Sequence, residues 1–138
     1  MDDDCIFCKI IKGDIPSYTI YQDDKTLALL DINPNSVGHA LVIPKKHVKT
    51  IVEMQDEDLE AVFKTVKKVV KGIDAALTPD GLNLVVNQGE VAGQIVQHFH
   101  CHVIPRTAGD GIEIAVKGIS LSTEDFQDLV KRISEQIK

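Results

Sequence analysis

Apolar and polar residues follow two different periods along the chain, and the longer period marks one long helix. Between Leu59 and Leu77, apolar side chains recur at steps of three and four residues, which places them on one stripe of a helix. The members of this stripe are Leu59, Val62, Phe63, Val66, Val69, Val70, Ile73 and Leu77. Acidic residues at 56–58 suit the N-terminus of the helix, and Gly81 lies in the turn beyond its end. Lysines on the other side are typical of a solvated helix face.

Short apolar runs separated by turn residues predict five strands. They span 18–22, 26–31, 38–44, 82–86 and 99–104. The short connections between consecutive strands favour an antiparallel sheet, so we predict an α+β fold. A short helical turn at 6–11 precedes the strands, and a C-terminal helix at 122–137 begins with a capping-box-like Ser122-Thr-Glu-Asp125. We expect that last helix to bury Phe126, Leu129, Val130, Ile133 and Ile137.

Length and charge limit the class of protein. The 138 residues predict a single domain over 1–138, in which 107–138 form a C-terminal extension and helix. With 21 acidic and 15 basic side chains, the net charge is −6, which argues against broad contact with nucleic acid or anionic lipid. No apolar run approaches the roughly 18 residues that a membrane span requires. The acidic start 1–4 is unlike a signal peptide, so we expect a cytoplasmic protein.

Three histidines occupy alternate positions near the end of the predicted sheet. In a strand, His98, His100 and His102 would lie on one face, about 6.6 Å apart at each step and about 13 Å apart at the ends. Two neighbours could share a zinc ion, but all three could not readily do so. The row therefore indicates that the three imidazoles have different roles. The alternative interpretation is the polar face of an exposed strand.

A glycine-containing loop lies just before the histidines. It reads Asn87-Gln-Gly-Glu-Val-Ala-Gly93-Gln94, and its glycines allow backbone N–H groups to approach a ligand closely. The side-chain amides of Asn87 and Gln94 can donate further hydrogen bonds. Next to a row of histidines, the loop is typical of a phosphate-binding site. A plain connection between two strands is the alternative.

Three motifs together resemble the histidine-triad family. His98-Phe-His-Cys-His-Val-Ile matches the pattern His-φ-His-φ-His-φ-φ, where φ is hydrophobic. Residues 38–47 and Leu30-Asp31-Ile32 are also similar to that family, and the resemblance covers about 5–106. It implies a nucleotide hydrolase or transferase that acts at the α-phosphate of nucleoside phosphoramidates, dinucleoside polyphosphates or similar conjugates, with purine nucleotides as substrates. It also implies a homodimer whose sheets join across the interface.

The resemblance assigns a role to each residue that matches the pattern. His100 resembles the nucleophile that forms a nucleotidyl-histidine intermediate, a role that suits neutral imidazole. His39 resembles the histidine that buttresses the cluster, and Asp31 the acidic residue that faces the ribose hydroxyls, although a turn-capping aspartate is the alternative. Donors to the phosphate are expected from His102, Asn87, Gly93 and Gln94. Ile95 departs from the pattern, because many relatives have Ser or Thr at this position. Its side chain supplies no hydroxyl, but its backbone N–H is a further expected donor to the phosphate.

A cysteine pair near the start indicates a metal site. Cys5-Ile-Phe-Cys8 can supply two thiolates to tetrahedral zinc, and His47 and His98 are the imidazoles available to complete the set. Some histidine-triad proteins use such a set, which implies a structural zinc ion and no organic cofactor. Alternatives are an inert pair of small apolar residues or a redox pair.

These observations favour a hydrolase that releases a nucleoside monophosphate through His100. Two other functions stay open. One is a nucleotide-binding regulatory module with vestigial catalysis, which the apolar Ile95 would favour. The other is a metal-dependent hydrolase that uses the histidine row as ligands.

Overall fold

The computed structural model describes residues 2–114 and 117–137, and these form a five-stranded antiparallel sheet with three helices. The strands are β1 (Thr19–Gln22), β2 (Thr26–Leu30), β3 (Ala40–Pro44), β4 (Gly81–Val85) and β5 (Cys101–Arg106). The helices are α1 (Ile6–Lys12), α2 (Asp56–Leu77) and α3 (Thr123–Ser134), and short 3-10 turns occur at Ile51–Glu53 and Glu90–Ala92. The spatial order is β1-β2-β3-β5-β4, and every pairing is antiparallel. The predicted α+β fold is confirmed.

Helix α2 covers one face of the sheet. Its buried side chains pack on β2, β3 and β5, where Ala28, Val42 and Val103 form the floor. Thr65 was not part of the predicted stripe, yet it is buried because its hydroxyl shares a 2.7 Å hydrogen bond with that of Thr26. Phe63 and Leu77 lie at the edges of the stripe and remain partly exposed. The face of α2 that is buried is therefore narrower than the apolar stripe predicted from the sequence.

The opposite face of the sheet is covered by α1, and the cysteine pair and the histidines of the candidate site lie on this side. Leu27 and Leu29 alternate with Ala28 along β2 and point away from α2. They pack with residues of the α1 segment and β3: Cys5, Phe7, Cys8, Leu41 and Ile43. Helix α1 ends at Gly13, which has φ +86° and so adopts the left-handed conformation of a helix C-terminus. The turn predicted at 6–11 is confirmed.

The histidine row does not lie on one regular strand, and this part of the prediction was wrong. Strand β5 begins at Cys101, where pairing with β3 starts, so only His102 lies in the ladder. The preceding chain turns away because Phe99 donates its N–H to the carbonyl of Val48, at 2.7 Å, instead of to a strand partner. His98 and His100 thus precede the strand, and their side chains are directed to separate clusters.

Helix α3 also differs from the prediction. Its capping box is present, since the Ser122 hydroxyl accepts from the N–H of Asp125 and the Asp125 carboxylate accepts from the N–H of Ser122. The apolar face is not buried, however: Phe126, Val130 and Ile133 are 56%, 66% and 56% exposed. The apolar period determines which face of a helix is apolar, but not whether the same chain covers it.

A guanidinium group organises the start of the C-terminal extension. Arg106 at the end of β5 forms two hydrogen bonds with the Asp110 carboxylate and donates to the carbonyl of Ile112 and the side chain of Asn83. This contact holds the pKa of Asp110 well below its usual range. Residues 115, 116 and 138 of the predicted extension lie outside the described residues. The assignment of 1–138 to a single domain stays a prediction. In the described part of the chain, no helix has the length and apolarity that crossing a membrane requires.

Candidate active site and metal site

Four predicted metal ligands converge beside α1. Cys5 and Cys8 come from the start of the helix, His47 from the loop after β3, and His98 from the bend before β5. The Sγ of Cys5 and of Cys8 lie 3.4 and 3.6 Å from Nδ1 of His98, and the Sγ of Cys8 lies 3.3 Å from Nδ1 of His47. The two Nδ1 atoms are 3.2 Å apart. Each residue offers one donor atom to the same point.

These spacings fit a tetrahedral zinc ion. Bonds of about 2.0–2.1 Å to nitrogen and about 2.3 Å to sulfur place tetrahedral N···N pairs about 3.3 Å apart and S···N pairs about 3.5 Å apart. The ring of His98 is also oriented for this role. Its Nε2–H donates to the carbonyl of Pro44 at 2.8 Å, so the lone pair is on Nδ1 and is directed to the cluster. Asp2 lies 3.6 Å from Nε2 of His47 and supports that ring in the same way. The cluster can hold a metal ion.

Protons compete with a metal at this cluster. Burial raises the pKa of the Cys5 thiol and lowers the pKa of His98 to about 4. The imidazole is therefore neutral and ready to bind, whereas the thiol has to lose its proton to a metal ion. Metal affinity should fall as the pH drops.

His100 is held with one ring nitrogen free. Its Nδ1 lies 2.7 Å from the backbone carbonyl of His98, which can only accept, so Nδ1 carries the proton and Nε2 keeps its lone pair. The residue is buried, and burial lowers its pKa, so the neutral form dominates at pH 7. The ring centroids of His100 and His102 lie 4.9 Å apart, which places a second imidazole beside that of His100.

A short chain of hydrogen bonds holds His102 in the tautomer opposite to that of His100. The N–H of Asn35 donates to Nδ1 of His39 at 3.0 Å, so neutral His39 carries its proton on Nε2. That Nε2–H donates to Nδ1 of His102, again at 3.0 Å, which leaves the His102 proton on its own Nε2. His102 thus presents a proton on Nε2, whereas His100 presents a lone pair on Nε2. Burial lowers the pKa of His39, and lowers that of His102 to about 4, so both stay neutral at pH 7.

Asp31 lies at the edge of this chain of hydrogen bonds. Its Oδ2 is 3.6 Å from Nε2 of His39, while its Oδ1 accepts from the N–H of Asn33 at 2.9 Å. The turn-capping interpretation therefore describes one of its two oxygens. Asp31, His39 and His102 are close enough to share a metal ion. The N–H of Asn35 opposes such an ion, because metal-bound Nε2 would require the His39 proton on Nδ1, where that N–H already points.

The side chain of Gln94 holds the glycine loop in place. It is 2% exposed, its Oε1 accepts from the N–H of Gly89 at 2.9 Å, and its Nε2 donates to the carbonyls of Lys49 and Val96 at 2.8 and 3.2 Å. Both amide hydrogens are used within the protein. The structure therefore gives this side chain a positioning role in the loop.

Of the backbone donors predicted in the loop, two are already bonded within the described part of the chain and one is not. The N–H groups of Gly93 and Gln94 donate to loop carbonyls at 2.9 and 3.0 Å, and Asn87 makes a long 3.4 Å contact to the carbonyl of Gly93. Their roles in phosphate binding stay predictions. The N–H of Ile95 has no protein partner among the described residues and is available to a phosphate oxygen. The Ile95 side chain is 89% exposed.

Several groups in the site carry no signal in the sequence. The carbonyls of Pro44 and His98 and the N–H of Asn35 are backbone atoms, which any residue possesses. Phe7 contacts the rings of both His98 and His100, yet in the sequence it is one of many apolar residues. Its position between the two cysteines was the one indication available.

Comparisons with known proteins agree with the class that fold and site define, an α+β domain with a triad of histidines. The family model "HIT domain" matches residues 12–109, and the chain belongs to that family. A crystal structure of a HIT-family member from Bacillus subtilis has a TM-score of 0.93 at 42% identity and covers 99% of each chain.

Two further relatives bear on chemistry and metal content. The adenosine 5′-monophosphoramidase hnt1 of Schizosaccharomyces pombe is 42% identical over 135 residues, which are 97% of this chain and 98% of that protein. A zinc-bound histidine-triad family protein from Mycobacterium smegmatis has a TM-score of 0.75 at 32% identity and covers 95% of this chain and 94% of that one. The names of such homologues support hydrolase activity in general and a metal ion bound in this family.

Proposed function

We propose that the protein hydrolyses nucleotide conjugates at the α-phosphate through a nucleotidyl-histidine intermediate on His100. The observation that carries this proposal is the pair of opposite tautomers in adjacent rings. The carbonyl of His98 leaves His100 with a free Nε2, and His39 leaves His102 with a proton on Nε2. A nucleophile beside a donor is the arrangement that attack on a phosphoryl group requires.

The reaction takes place in two displacements. Nε2 of His100 attacks the α-phosphorus, and the bond to the leaving group breaks with its electron pair on that group. Water then attacks the phosphorus, the P–N bond breaks, and the electron pair returns to His100. The leaving group takes a proton from bulk solvent as it departs in the first step. In the second step the attacking water leaves one proton on the nucleoside monophosphate and returns the other to the solvent. Throughout, the Nε2–H of His102 and the N–H of Ile95 donate to the non-bridging oxygens.

The substrate class follows from the family and the relatives. Nucleoside phosphoramidates are the leading candidates, because a relative 42% identical along nearly the whole chain is an adenosine 5′-monophosphoramidase. Dinucleoside polyphosphates share the same α-phosphate. Asp31 would accept from the ribose hydroxyls through the oxygen that does not cap the turn. The proposed contacts of His100, His102 and the N–H of Ile95 are all to the phosphate, so they do not select a particular base.

The metal, assembly and location complete the proposal. The four-ligand cluster would hold a structural zinc ion that ties α1 to the bend before β5, since Cys5, Cys8, His47 and His98 leave no ligand position open. The protein would be a cytoplasmic homodimer that binds neither nucleic acid nor membranes. The exposed apolar faces of α3 and of β4, where Leu84 is 51% exposed, support the dimer.

The test is release of AMP from adenosine 5′-phosphoramidate and from a diadenosine polyphosphate. Wild-type protein should release AMP, and samples quenched with denaturant at alkaline pH, where the P–N bond survives, should contain a chain heavier by one adenylyl group. His100→Ala should show neither product nor adduct while it keeps its melting temperature and binds AMP. Full turnover by His100→Ala would refute the covalent mechanism.

The exposed Ile95 favours one alternative, a nucleotide-binding regulatory module. An apolar side chain at this point of the loop supplies no hydroxyl to a phosphate or leaving group. Tight AMP binding with no turnover of either compound would support this function, and Ile95→Ser would then be the variant to assay for recovered turnover.

A further inference from the structure

His98 belongs to both clusters, and it connects them through two separate groups. Its ring faces the metal site through Nδ1 and is held from behind by the carbonyl of Pro44. Its own backbone carbonyl accepts from Nδ1 of His100 at 2.7 Å. The residue is completely buried, so its ring and its carbonyl cannot move independently of the side chains around them. Whatever fixes the ring of His98 also fixes the acceptor that orients His100.

Phe7 provides a second contact between the clusters. It lies between Cys5 and Cys8 in the sequence and is 6% exposed. Its ring makes an edge contact with the ring of His98, at 5.7 Å between centroids and 87°, and another with His100, at 5.3 Å and 74°. The two cysteines fix the first turn of α1 and thereby the position of this ring.

We propose that the Cys5–Cys8–His47–His98 cluster is a positioning element for the nucleophile, so that its ligand state sets the orientation of His100. With four ligands gathered around a metal ion, the carbonyl of His98 keeps the His100 proton on Nδ1. When a ligand is lost, the ring of His98 is released, its carbonyl shifts, and the proton of His100 distributes over both nitrogens. The effect on rate depends on the proposed function, whereas the effect on the His100 ring does not.

The effect on catalysis should appear in kcat and leave nucleotide affinity almost unchanged. The groups proposed to contact the nucleotide lie on other elements: the acceptor Asp31 in the turn after β2, and the donors on β5 and in the glycine loop. A misplacement of about 1 Å in a reacting group can reduce a rate by about a hundredfold. We therefore expect a reduction in kcat of at least about tenfold when one ligand is lost.

His47→Asn is the first variant to test, because His47 is a ligand that contacts His98 but makes no ring contact with His100. Zinc per chain, melting temperature, AMP affinity and kcat are measured for the full chain. Long-range nitrogen–proton NMR correlations of the His100 ring report its tautomer independently of activity. We expect lost zinc, a mixed His100 tautomer, a kcat reduced by at least about tenfold and an AMP Kd within about threefold of wild type.

Phe7→Leu tests the second contact with all four ligands intact. It should keep its zinc, yet show a reduced kcat and an altered His100 signal. Leu27→Val is the matched control, because Leu27 is buried in the same apolar cluster as Phe7 but lies on β2 instead of between the two cysteines. It should lower the melting temperature without changing kcat or the His100 tautomer.

Each outcome decides the proposal. An unchanged His100 tautomer in zinc-free His47→Asn would overturn it, as would a kcat loss in Leu27→Val as large as that in Phe7→Leu. If wild type releases no AMP, the proposed function fails. The NMR comparison then still tests the positioning of His100, and it would support the proposal if the tautomer changed with zinc.

Discussion

His39 offers the sharpest test of the hydrogen-bond chain behind the phosphate donor. In His39→Ala, the Nδ1 of His102 loses its 3.0 Å donor, and the N–H of Asn35 loses its acceptor. His102 is then no longer held in the tautomer that carries the proton on Nε2. The expected result is a loss of transition-state stabilisation, because the proton has to be on Nε2 at the moment when charge develops on the phosphoryl oxygens.

The magnitude follows from the broken hydrogen bond. Leaving a buried polar atom without its partner costs about 1–3 kcal/mol. Since each 1.36 kcal/mol corresponds to a factor of ten, kcat should fall by about 5- to 150-fold. KM should change little, because the interaction strengthens in the transition state. A fall outside this range would show that His39 acts in a different way.

The assay is steady-state release of AMP, at a temperature well below the melting point of each variant. His39→Gln serves as the conservative comparison, because its amide reaches about as far as Nε2 and can donate to His102. It should recover much of the lost kcat. Equal rates for the Ala and Gln variants, or an unchanged kcat in His39→Ala, would refute the reasoning.

Three further predictions concern stability. Because burial lowers the pKa of His102 from 6.5 to about 4, the unfolded chain binds a proton that the folded chain does not bind. Melting temperature should therefore fall as the pH drops from about 6.5 to 4, and His102→Asn should reduce that dependence. Gly38→Ala should lower the free energy of unfolding by at least about 1–3 kcal/mol in chemical denaturation, since Gly38 has φ +90° and an added Cβ would lie 2.5 Å from Cδ1 of Leu77. Gln94→Ala should lower it by about 1–3 kcal/mol and weaken AMP binding in calorimetry, because three partly buried hydrogen bonds of the loop are lost.

Each of these predictions has its own control. An equal pH dependence in His102→Asn and wild type would assign the effect to other groups. Leu77→Ala combined with Gly38→Ala should recover the part of the loss that is due to the clash, and no recovery would leave backbone strain as the whole cause. Unchanged AMP binding in Gln94→Ala would show that the loop does not depend on this side chain.

The sequence predicted the parts of the site that depend on residue type. Thiolates and imidazoles are few in this chain, so Cys5, Cys8, His47 and His98 could be grouped before their positions were known. The strand assignment around His100 failed because alternation of side chains cannot show where pairing with β3 begins. The prediction that the apolar face of α3 is buried was wrong for a related reason, since no element in the described part of this chain packs over that face.

The two clusters that bring histidines together differ in the group that lies behind a histidine ring, on the side away from the cluster. Behind His98 lies the carbonyl of Pro44, which accepts a hydrogen bond from the Nε2–H and leaves Nδ1 free for a metal. Behind His39 lies the N–H of Asn35, which requires a lone pair on Nδ1 and keeps the proton on Nε2. One backbone acceptor therefore favours metal binding, and one backbone donor favours proton donation toward His102.

This difference predicts one metal ion per chain. Cobalt added to zinc-free protein should give the charge-transfer absorption of thiolate ligands and saturate at one equivalent. A second equivalent should not bind at Asp31, His39 and His102, although their donor atoms lie close enough together. A second ion, lost in Asp31→Asn but retained in Asp110→Asn, would contradict the prediction and show that the N–H of Asn35 does not exclude a metal from the second cluster.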